Sequence, residues 1–572
     1  EQTIEPEQTI EPEQTIEPEQ TTEAERTAAP ETGADDAPLI DVDATPGANE
    51  SEIIEVPIEP EGVFQFGDLY GEQLSVDFEE AMPALCAAVF ADEADDGSLT
   101  AAKLAEFTNR LCSAIKNLEA SVNLEDLNIK YTENSIGILK RRYNAVLNSV
   151  AESFVCTAGG SVYTYYPDGN LVQLSLGLKT NAAAMLSDYN DEKKAALSSL
   201  FPNGAAGMTK TEIVLAIHDY IALHTRYDYA SVENKTNDNP NMYNAYGALV
   251  NGSAVCQGYA LAYMDLLREM GVDSYFVSSN NINHGWNIVN TENGWYYSDV
   301  TWDDPRHNLG DYTNDGDFMG ICMHGYFMNT EAQLKENHFN GKVYDAMFSV
   351  VSGSSPAAAA SAHPNSKFWS GICSGMVYCN GQWYYNDGTF NAKNDESTGK
   401  PRIYTCGNIC KTLYGTERAA NVIAPNATFF APVDGSLIYA RFNESRNTDA
   451  LMRYYTASGT AAKIVDLAEG TIVTEIGAGR LNIGNSIYPR GTVVYADMNS
   501  QLYTIVPSET AAGDVDLDGV LTIADVTLIC RHIMGQAQLS GAALAAADIN
   551  SDGSVGVADA VLLCQMISEG NE

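Results

Sequence analysis

Residues 251–272 read NGSAVCQGYALAYMDLLREMGV. Gly252 and Ser253 mark a loop, after which Ala260, Leu261, Met264, Leu267 and Met270 recur at helical spacing. Cys256 therefore stands at or just before a helix N-terminus, where the helix dipole favours the thiolate, the reactive form of cysteine. Residues 283–290 then read NHGWNIVN, with His284 heading a strand in which Ile288 follows Trp286 in alternation. Glu292, Asn293 and Gly294 supply a turn, and the next strand, WYYSDVTW at 295–302, carries Asp299. Such a hairpin puts His284 and Asp299 on neighbouring strands, within reach of a hydrogen bond. In this chemistry the cysteine attacks, the histidine moves the proton and the carboxylate fixes the imidazole tautomer. A lone cysteine or histidine is more often structural. A helix-start cysteine followed by a strand histidine and a strand aspartate is far more specific.

Two further stretches complete a pattern: AIHDYIALHTRYDY at 216–229 and GWYYSDVTWDDP at 294–305. With the segments above, they resemble the transglutaminase-like (papain-like) superfamily, bacterial branch. The resemblance covers residues 213–305, under a fifth of the chain. It implies an α+β papain-like fold, with Cys256 as nucleophile, His284 as base and Asp299 as the orienting carboxylate. The backbone amide of Cys256 is a natural oxyanion donor, because helix-start amides point outward. Members of the superfamily hydrolyse peptide or amide bonds, cross-link Gln to Lys, or have lost activity, and the resemblance leaves the reaction open.

The C-terminus carries a duplicated loop. Asp514, Asp516 and Asp518 precede Gly519 and are followed by Asp525; Asp548, Asn550 and Asp552 precede Gly553 and are followed by Asp559. Both loops set oxygen ligands at positions 1, 3, 5 and 12, with glycine at 6 for the sharp turn, the spacing of a calcium-binding EF-hand loop with Asp for Glu at position 12. Each loop leads into one apolar helix, IADVTLICRHIM or VADAVLLCQMI. This pattern resembles a type I-like dockerin over about 513–570. The resemblance implies two structural calcium ions and a cohesin module of a scaffoldin as partner. Positions 10 and 11, often Ser or Thr in dockerins, are here Ile523–Ala524 and Val557–Ala558. Apolar residues in duplicate at the helix starts suit a partner surface better than solvent.

The formal net charge is −46, and residues 1–60 alone hold 18 acidic residues against one basic residue, Arg26. That sign excludes nucleic-acid and anionic-lipid partners, which need basic surfaces. No run approaches the ~18 apolar residues needed to cross a membrane. The chain opens inside a repeat, EQTIEP three times over, as a processed export product would. Residues 1–62 are acidic, rich in Pro and Thr and devoid of aromatics, so a disordered linker is expected.

Residues 63–200 read as mainly helical, with Leu104, Phe107, Leu111, Ile115 and Leu118 on one face and a hairpin over 161–176. A capping box formed by Thr209 and Glu212 opens a helix running to about Thr225 and starts the catalytic domain, 201–345. Residues 365–508 repeat a strand pair three times with a period of about 55 residues: NGQWYY, DGSLIY and RGTVVY, each followed by a second strand. Such repeats suggest propeller-like blades or stacked meanders, although three are too few to close an ordinary propeller. Their aromatics suit either a core or a carbohydrate- or peptide-binding face. Cys373, Cys379, Cys406 and Cys410 suit disulfides or free buried thiols; a metal site fits them less well, since short Cys-x-x-Cys clips are missing.

The expected fold class is thus multidomain: an α+β papain/transglutaminase-like core with a helical N-terminal extension, a β-repeat domain and a small α calcium-binding dockerin. The expected function is that of a secreted, cellulosome-associated cysteine peptidase or amidohydrolase acting on a protein or peptide. A protein-crosslinking transglutaminase is the rival enzyme. An inert core beside β-repeats that bind glycan or protein is the non-enzymatic rival.

Overall fold

The capping box read from the sequence organises the centre of the molecule. In the computed structural model, which describes residues 54–57 and 99–569, Thr209 caps the helix Lys210–His224 and Glu212 closes the box. Within that span, the longest stretches outside the described residues are 232–238, 305–320, 350–354, 395–400, 444–447, 506–511 and 516–520; the shorter ones include 404–406 and 551–553. Helix Lys210–His224 is buried on every side from Thr211 to Ala222. A helix that is apolar all round lies inside a core instead of upon one, and the rest of the fold is packed about this one.

In chain order, strand β1 (Ile54–Pro57) precedes helix α1 (Ala101–Lys116), β2 (Ser121–Asn123), α2 (Glu133–Leu147), β3 (Val162–Tyr165), β4 (Leu171–Ser175) and α3 (Ala182–Leu200). The hairpin β3–β4 joins β1 and β2 in a sheet of order β1-β3-β4-β2. Leu104, Phe107, Leu111 and Ile115 of α1 are buried on the face that the spacing indicated. Strand β1 departs from the expectation of a linker over 1–62, since Ile54 to Pro57 pair antiparallel with β3. The acidic composition of the whole stretch hides a short β-branched run, and an edge strand needs only a few such residues beside a ready partner. The rest of the linker call, and residues 63–98 of the helical call, lie outside the described residues.

The central unit continues with α4 (Lys210–His224), α5 (Ala245–Leu249), α6 (Cys256–Glu269), β5 (Ser274–Ser279), β6 (His284–Thr291), β7 (Gly294–Ser298) and α7 (Val300–Asp303), followed by the short strand β8 (Met347–Phe348). The sheet runs β8-β5-β6-β7, all neighbours antiparallel. Helix α6 lies against β6 and α4, which makes an α+β core. The divisions expected at 200/201 and between 345 and 365 do not separate cores. A single buried apolar cluster runs from Leu99 through α1 to α6 and on to Trp383, Tyr385 and Cys410. Polar ties cross the same divisions: Tyr189 donates to Asp265 at 2.8 Å, and the Trp383 indole donates to Glu212 at 3.4 Å. Sequence pattern locates elements, but whether adjacent elements share a core depends on which faces meet.

Beyond residue 365, seven strands form one antiparallel meander: β9 (Val377–Cys379), β10 (Gln382–Asn386), β11 (Gly407–Thr412), β12 (Asn421–Val433), β13 (Ser436–Phe442), β14 (Thr448–Tyr455) and β15 (Thr460–Asp466). The leading strands of the first two sequence repeats therefore share one sheet and do not form separate blades, while the second strand of the first repeat begins in a separate two-stranded hairpin. The third falls in another sheet, of order β16 (Val473–Ala478), β17 (Val493–Asp497), β18 (Leu502–Ile505). Each strand pairs with the one before it, even across the long connection from β10 to β11, which carries a separate two-stranded hairpin (Ala392–Asn394 with Pro401–Ile403), so the pairing runs through the repeat boundary. Trp383, Tyr384, Tyr385, Tyr439, Tyr454, Tyr455 and Tyr495 are buried, so these repeat aromatics are core residues and not an exposed binding face. Cys373, Cys379 and Cys410 carry free thiols, and Cys406 lies outside the described residues.

The C-terminal segment folds as α8 (Ile523–Ile533), α9 (Gly541–Ala547) and α10 (Val557–Glu569) about Val515, Val526, Ile529, Ala547, Ala560 and Leu563. The edge strand β1 gives the first prediction. Deleting residues 1–50 should leave the melting temperature of the full chain unchanged, whereas deleting 1–58, which removes β1, should lower it by about 2–4 °C. Differential scanning calorimetry of the two truncations decides this.

Candidate active site

Three elements bring the sequence-selected residues together. Cys256 is the first residue of α6, capped by Val255 in extended conformation. Gly258, two residues on, shows why the helix begins there. A Cβ at Gly258 would stand 2.6 Å from the Ala254 Cβ and 2.9 Å from the Asn244 and Met242 carbonyl oxygens. Only glycine lets the first turn press so closely on the preceding loop, which fixes the cysteine in place. The Gln257 side chain turns the other way and donates to the Asn148 carbonyl at 3.1 Å.

His284 opens β6 and Asp299 follows β7, as the hairpin register requires. One local expectation is corrected. Strand β7 ends at Ser298, and Asp299 is the N-cap of α7, its Oδ1 accepting the Trp302 backbone N–H at 3.2 Å. Asp is a strong capping residue, and capping here competes successfully with strand continuation. The His284 Nε2 lies 2.5 Å from Asp299 Oδ2, and the Cys256 thiol is near enough for its charge to bear on the His284 ring. With Nε2 on the carboxylate, Nδ1 is the ring nitrogen left for the thiol. All three side chains are buried: Cys256 is 5%, His284 5% and Asp299 1% exposed.

The electrostatics follow from that burial. Desolvation works against the imidazolium of His284, but the charges of Asp299 and Cys256 and the hydrogen bond to Asp299 outweigh it and push the pKa up to about 10. Desolvation likewise opposes the Asp299 carboxylate, yet His284 and His338 hold it far below the ordinary carboxylate range.

His338, which no sequence pattern singled out, is part of this arrangement. Its Nε2 stands 2.8 Å from the same Asp299 Oδ2, and its buried Nδ1 has no hydrogen-bond partner. His338 Nε2 is therefore placed to donate to Asp299. Trp302 stacks on the His338 ring at 4.2 Å and 7° and on His284 at 5.1 Å. Tyr227 and Tyr243 border the thiol: burial first, and the charge of Cys256 next, raise both phenol pKa values. His338 lies 54 positions beyond His284 with no motif linking them. Only its approach in space marks it.

In the C-terminal segment, the position-12 carboxylates are buried and already oriented. Asp525, 0% exposed, accepts the Val515 and Thr522 backbone N–H groups, each at 2.8 Å. Asp559, 1% exposed, accepts those of Ile549, Asn550 and Gly556 at 2.9, 3.1 and 2.8 Å. Asp514 is buried, Asp548 half-buried and Asn550 exposed; Asp516, Asp518 and Asp552 lie outside the described residues. Buried carboxylate oxygens held by loop amides suit a hard cation such as calcium. Ile523, Ala524, Val557 and Ala558 are all exposed at the starts of α8 and α10, Ile523 by 69% and Val557 by 67%.

Comparison with known proteins agrees with this division. Residues 203–300 match the family model of the transglutaminase-like superfamily, and residues 512–568 match that of the dockerin type I domain. The chain thus joins a transglutaminase-like α+β core to a C-terminal type I dockerin, a module found in extracellular cellulosome components, which as a class bind calcium and cohesins. No curated protein matches the chain. Similar solved structures include a TGase (15% identity, TM-score 0.17, covering 32% of this chain and 52% of that one). Others are menin, in a structure described as revealing the binding site for the Mixed Lineage Leukemia protein (21%, 0.17, covering 25% and 29%), and a putative cysteine protease from Cytophaga hutchinsonii (16%, 0.15, covering 24% and 56%). In each case the chain spans under two thirds of the neighbour's length. Among the described residues no helix is long and apolar enough to cross a membrane.

The His284–Asp299 pair gives a prediction with a definite sign. The folded-state pKa of about 10 lies above the ordinary 6.5. The stability that the His284 proton contributes is therefore complete below about pH 6.5 and is lost as pH rises through the folded value. In an NMR titration of ¹⁵N-histidine-labelled protein, His284 should still be protonated at pH 8. In Asp299→Asn it should titrate at a lower pH, because the stabilising negative charge is gone.

Proposed function

We propose that the chain is a secreted, cellulosome-associated cysteine peptidase or amidohydrolase, held on a scaffoldin by its dockerin. The observation that supports this reading is the buried His284–Asp299 hydrogen bond with Cys256 at the neighbouring helix start, three groups drawn from a helix start, a strand start and a helix cap. Cys256 is the nucleophile. Its sulfur attacks the carbonyl carbon of a protein or peptide amide, and the developing oxyanion meets a helix-start amide, that of Cys256 being the candidate. His284 delivers its proton to the departing nitrogen, leaving a thioester on Cys256. Water, deprotonated by His284, then attacks the thioester carbonyl carbon and releases the acid and the free thiol. Asp299 keeps the His284 ring oriented, and His338 and Trp302 hold Asp299 in turn. An amine in place of water would give a transglutaminase, and the same residues serve both outcomes.

Activity tests are direct. Cys256→Ala should abolish cleavage of a peptide library without changing the circular dichroism spectrum. Asp299→Asn should lower kcat by about 10²–10⁴-fold, less than the full loss, because it disturbs orientation and leaves the nucleophile. Products formed with and without a primary amine separate hydrolysis from cross-linking. Activity that persists in Cys256→Ala would remove the chemistry from this site.

In the dockerin, Asp514, Asp516, Asp518 and Asp525 would hold one calcium ion, and Asp548, Asn550, Asp552 and Asp559 a second. When bound, the ions neutralise carboxylates that otherwise repel in a module with little core. Ile523, Ala524, Val557 and Ala558 form the cohesin-facing surface. In pull-downs against a cohesin panel, binding should require calcium and disappear with EDTA and in Asp514→Ala/Asp548→Ala. Retention under both conditions would exclude calcium-dependent docking.

A further inference from the structure

A second polar cluster lies apart from the Cys256 series. His218 and Asp219 of α4, with Cys322 and His324 of the segment after 320, each offer one ligand atom, and these atoms all lie within 4.8 Å of one another. The four residues are 0, 2, 0 and 7% exposed. Asp219 is the hub. Its Oδ1 lies 2.8 Å from His218 Nδ1, 3.1 Å from His324 Nε2 and 3.7 Å from Cys322 Sγ. Its Oδ2 accepts the Met376 backbone N–H at 2.5 Å, which fixes the carboxylate in the cluster.

The outward-facing ring nitrogens are informative. His218 Nε2 stands 3.3 Å from Asp303 Oδ2, and His324 Nδ1 stands 3.2 Å from the Ile372 carbonyl oxygen. His324 Nδ1 is suited to donate its N–H there, as metal-bound imidazoles do to carbonyls, and His218 Nε2 faces the Asp303 carboxylate without forming a regular hydrogen bond. With both outer nitrogens protonated, the two inner nitrogens present lone pairs towards a carboxylate, beside a thiol. A bound divalent cation would satisfy all four donor atoms at once in this space closed to water.

We propose that His218, Asp219, Cys322 and His324 form a closed, four-ligand structural site for a zinc-like divalent transition metal. A mixed nitrogen, oxygen and sulfur set is the donor chemistry of such an ion and not of calcium. Ligand atoms about a tetrahedral ion are separated by roughly 3.4 Å, from metal–ligand bonds of about 2.0–2.3 Å. The two imidazole contacts of Asp219 therefore open by a few tenths of an ångström on binding, and the wider separations close. Binding releases the Cys322 thiol proton and any proton on the inner ring nitrogens. The site bears on the Cys256 centre through Asp303, the outer partner of His218. Asp303 ends the short helix that Asp299 caps, its N–H on the Asp299 carbonyl at 3.3 Å. The metal would therefore anchor the helix that carries Asp299.

The test uses the full chain, stripped with a strong chelator, resupplied with calcium to occupy the dockerin, and titrated with Co²⁺. One equivalent should bind with visible ligand-field bands and a near-ultraviolet thiolate-to-cobalt band. Cys322→Ser should lose the near-ultraviolet band, Cys256→Ala should keep it, and Asp303→Asn should weaken binding about 10–100-fold. Folded protein without a cobalt spectrum, or a thiolate band that survives Cys322→Ser, overturns the proposal. Should Cys322→Ser not fold, X-ray absorption of the zinc-loaded wild-type protein decides: one sulfur with nitrogen and oxygen neighbours supports the site, and a shell without sulfur overturns it.

Discussion

A carboxylate removed from water must find compensation, and Asp299 shows how far the fold is shaped by that demand. It is 1% exposed. Leaving it charged and unpaired would cost several kcal/mol. The chain supplies three partners from three places: the Trp302 amide of α7, the His284 ring of β6 and the His338 ring beyond residue 330. The β6–β7 hairpin, the turn into α7 and the return of the chain to His338 must all be correct for this one group to be satisfied. Trp302 and Trp286 then cover the imidazoles and keep water from them.

The same logic joins regions that look separate along the chain. Asp219 ties α4 to His324 and to the Met376 amide at the start of the seven-stranded sheet. Thr211 donates to Glu292 at 2.7 Å, and Trp383 of β10 reaches Glu212. Between these ties the apolar cluster is continuous from α1 to β11. At Gly375, a Cβ would stand 2.5 Å from the Leu223 Cδ1, so the end of α4 and the start of the meander are in close contact. The seven-stranded sheet therefore buttresses the α+β core and is not an independent appendage. Its Trp383 and Tyr385 serve that packing, while Tyr384, Tyr439 and Tyr454 pack in a cluster of the sheet's own.

The chain divides its chemistry by donor type. The core holds nitrogen, sulfur and carboxylate groups in dry surroundings, where proton position and thiol reactivity are set by neighbours. The C-terminal module holds carboxylates on loop amides beside exposed Ile523 and Val557, where a hard cation and a partner surface fit. The Cys256 series and the acidic loops thus use separate residues.

Local pattern was enough to locate Cys256 at a helix start, His284 at a strand start and the two acidic loops, because each rests on spacing along a few consecutive residues. The Thr209–Glu212 cap and the Glu292–Gly294 turn were legible for the same reason: their hydrogen bonds close within four residues. What the tertiary structure alone decided involves groups distant in sequence. His338 on Asp299, the His218–Asp219–Cys322–His324 cluster, the pairing of β1 with β3 and the apolar cluster shared among three expected domains all depend on which faces meet. Contacts between residues tens to a hundred positions apart leave no periodicity in the sequence, since they are set by burial and by the need of each buried polar group for a partner.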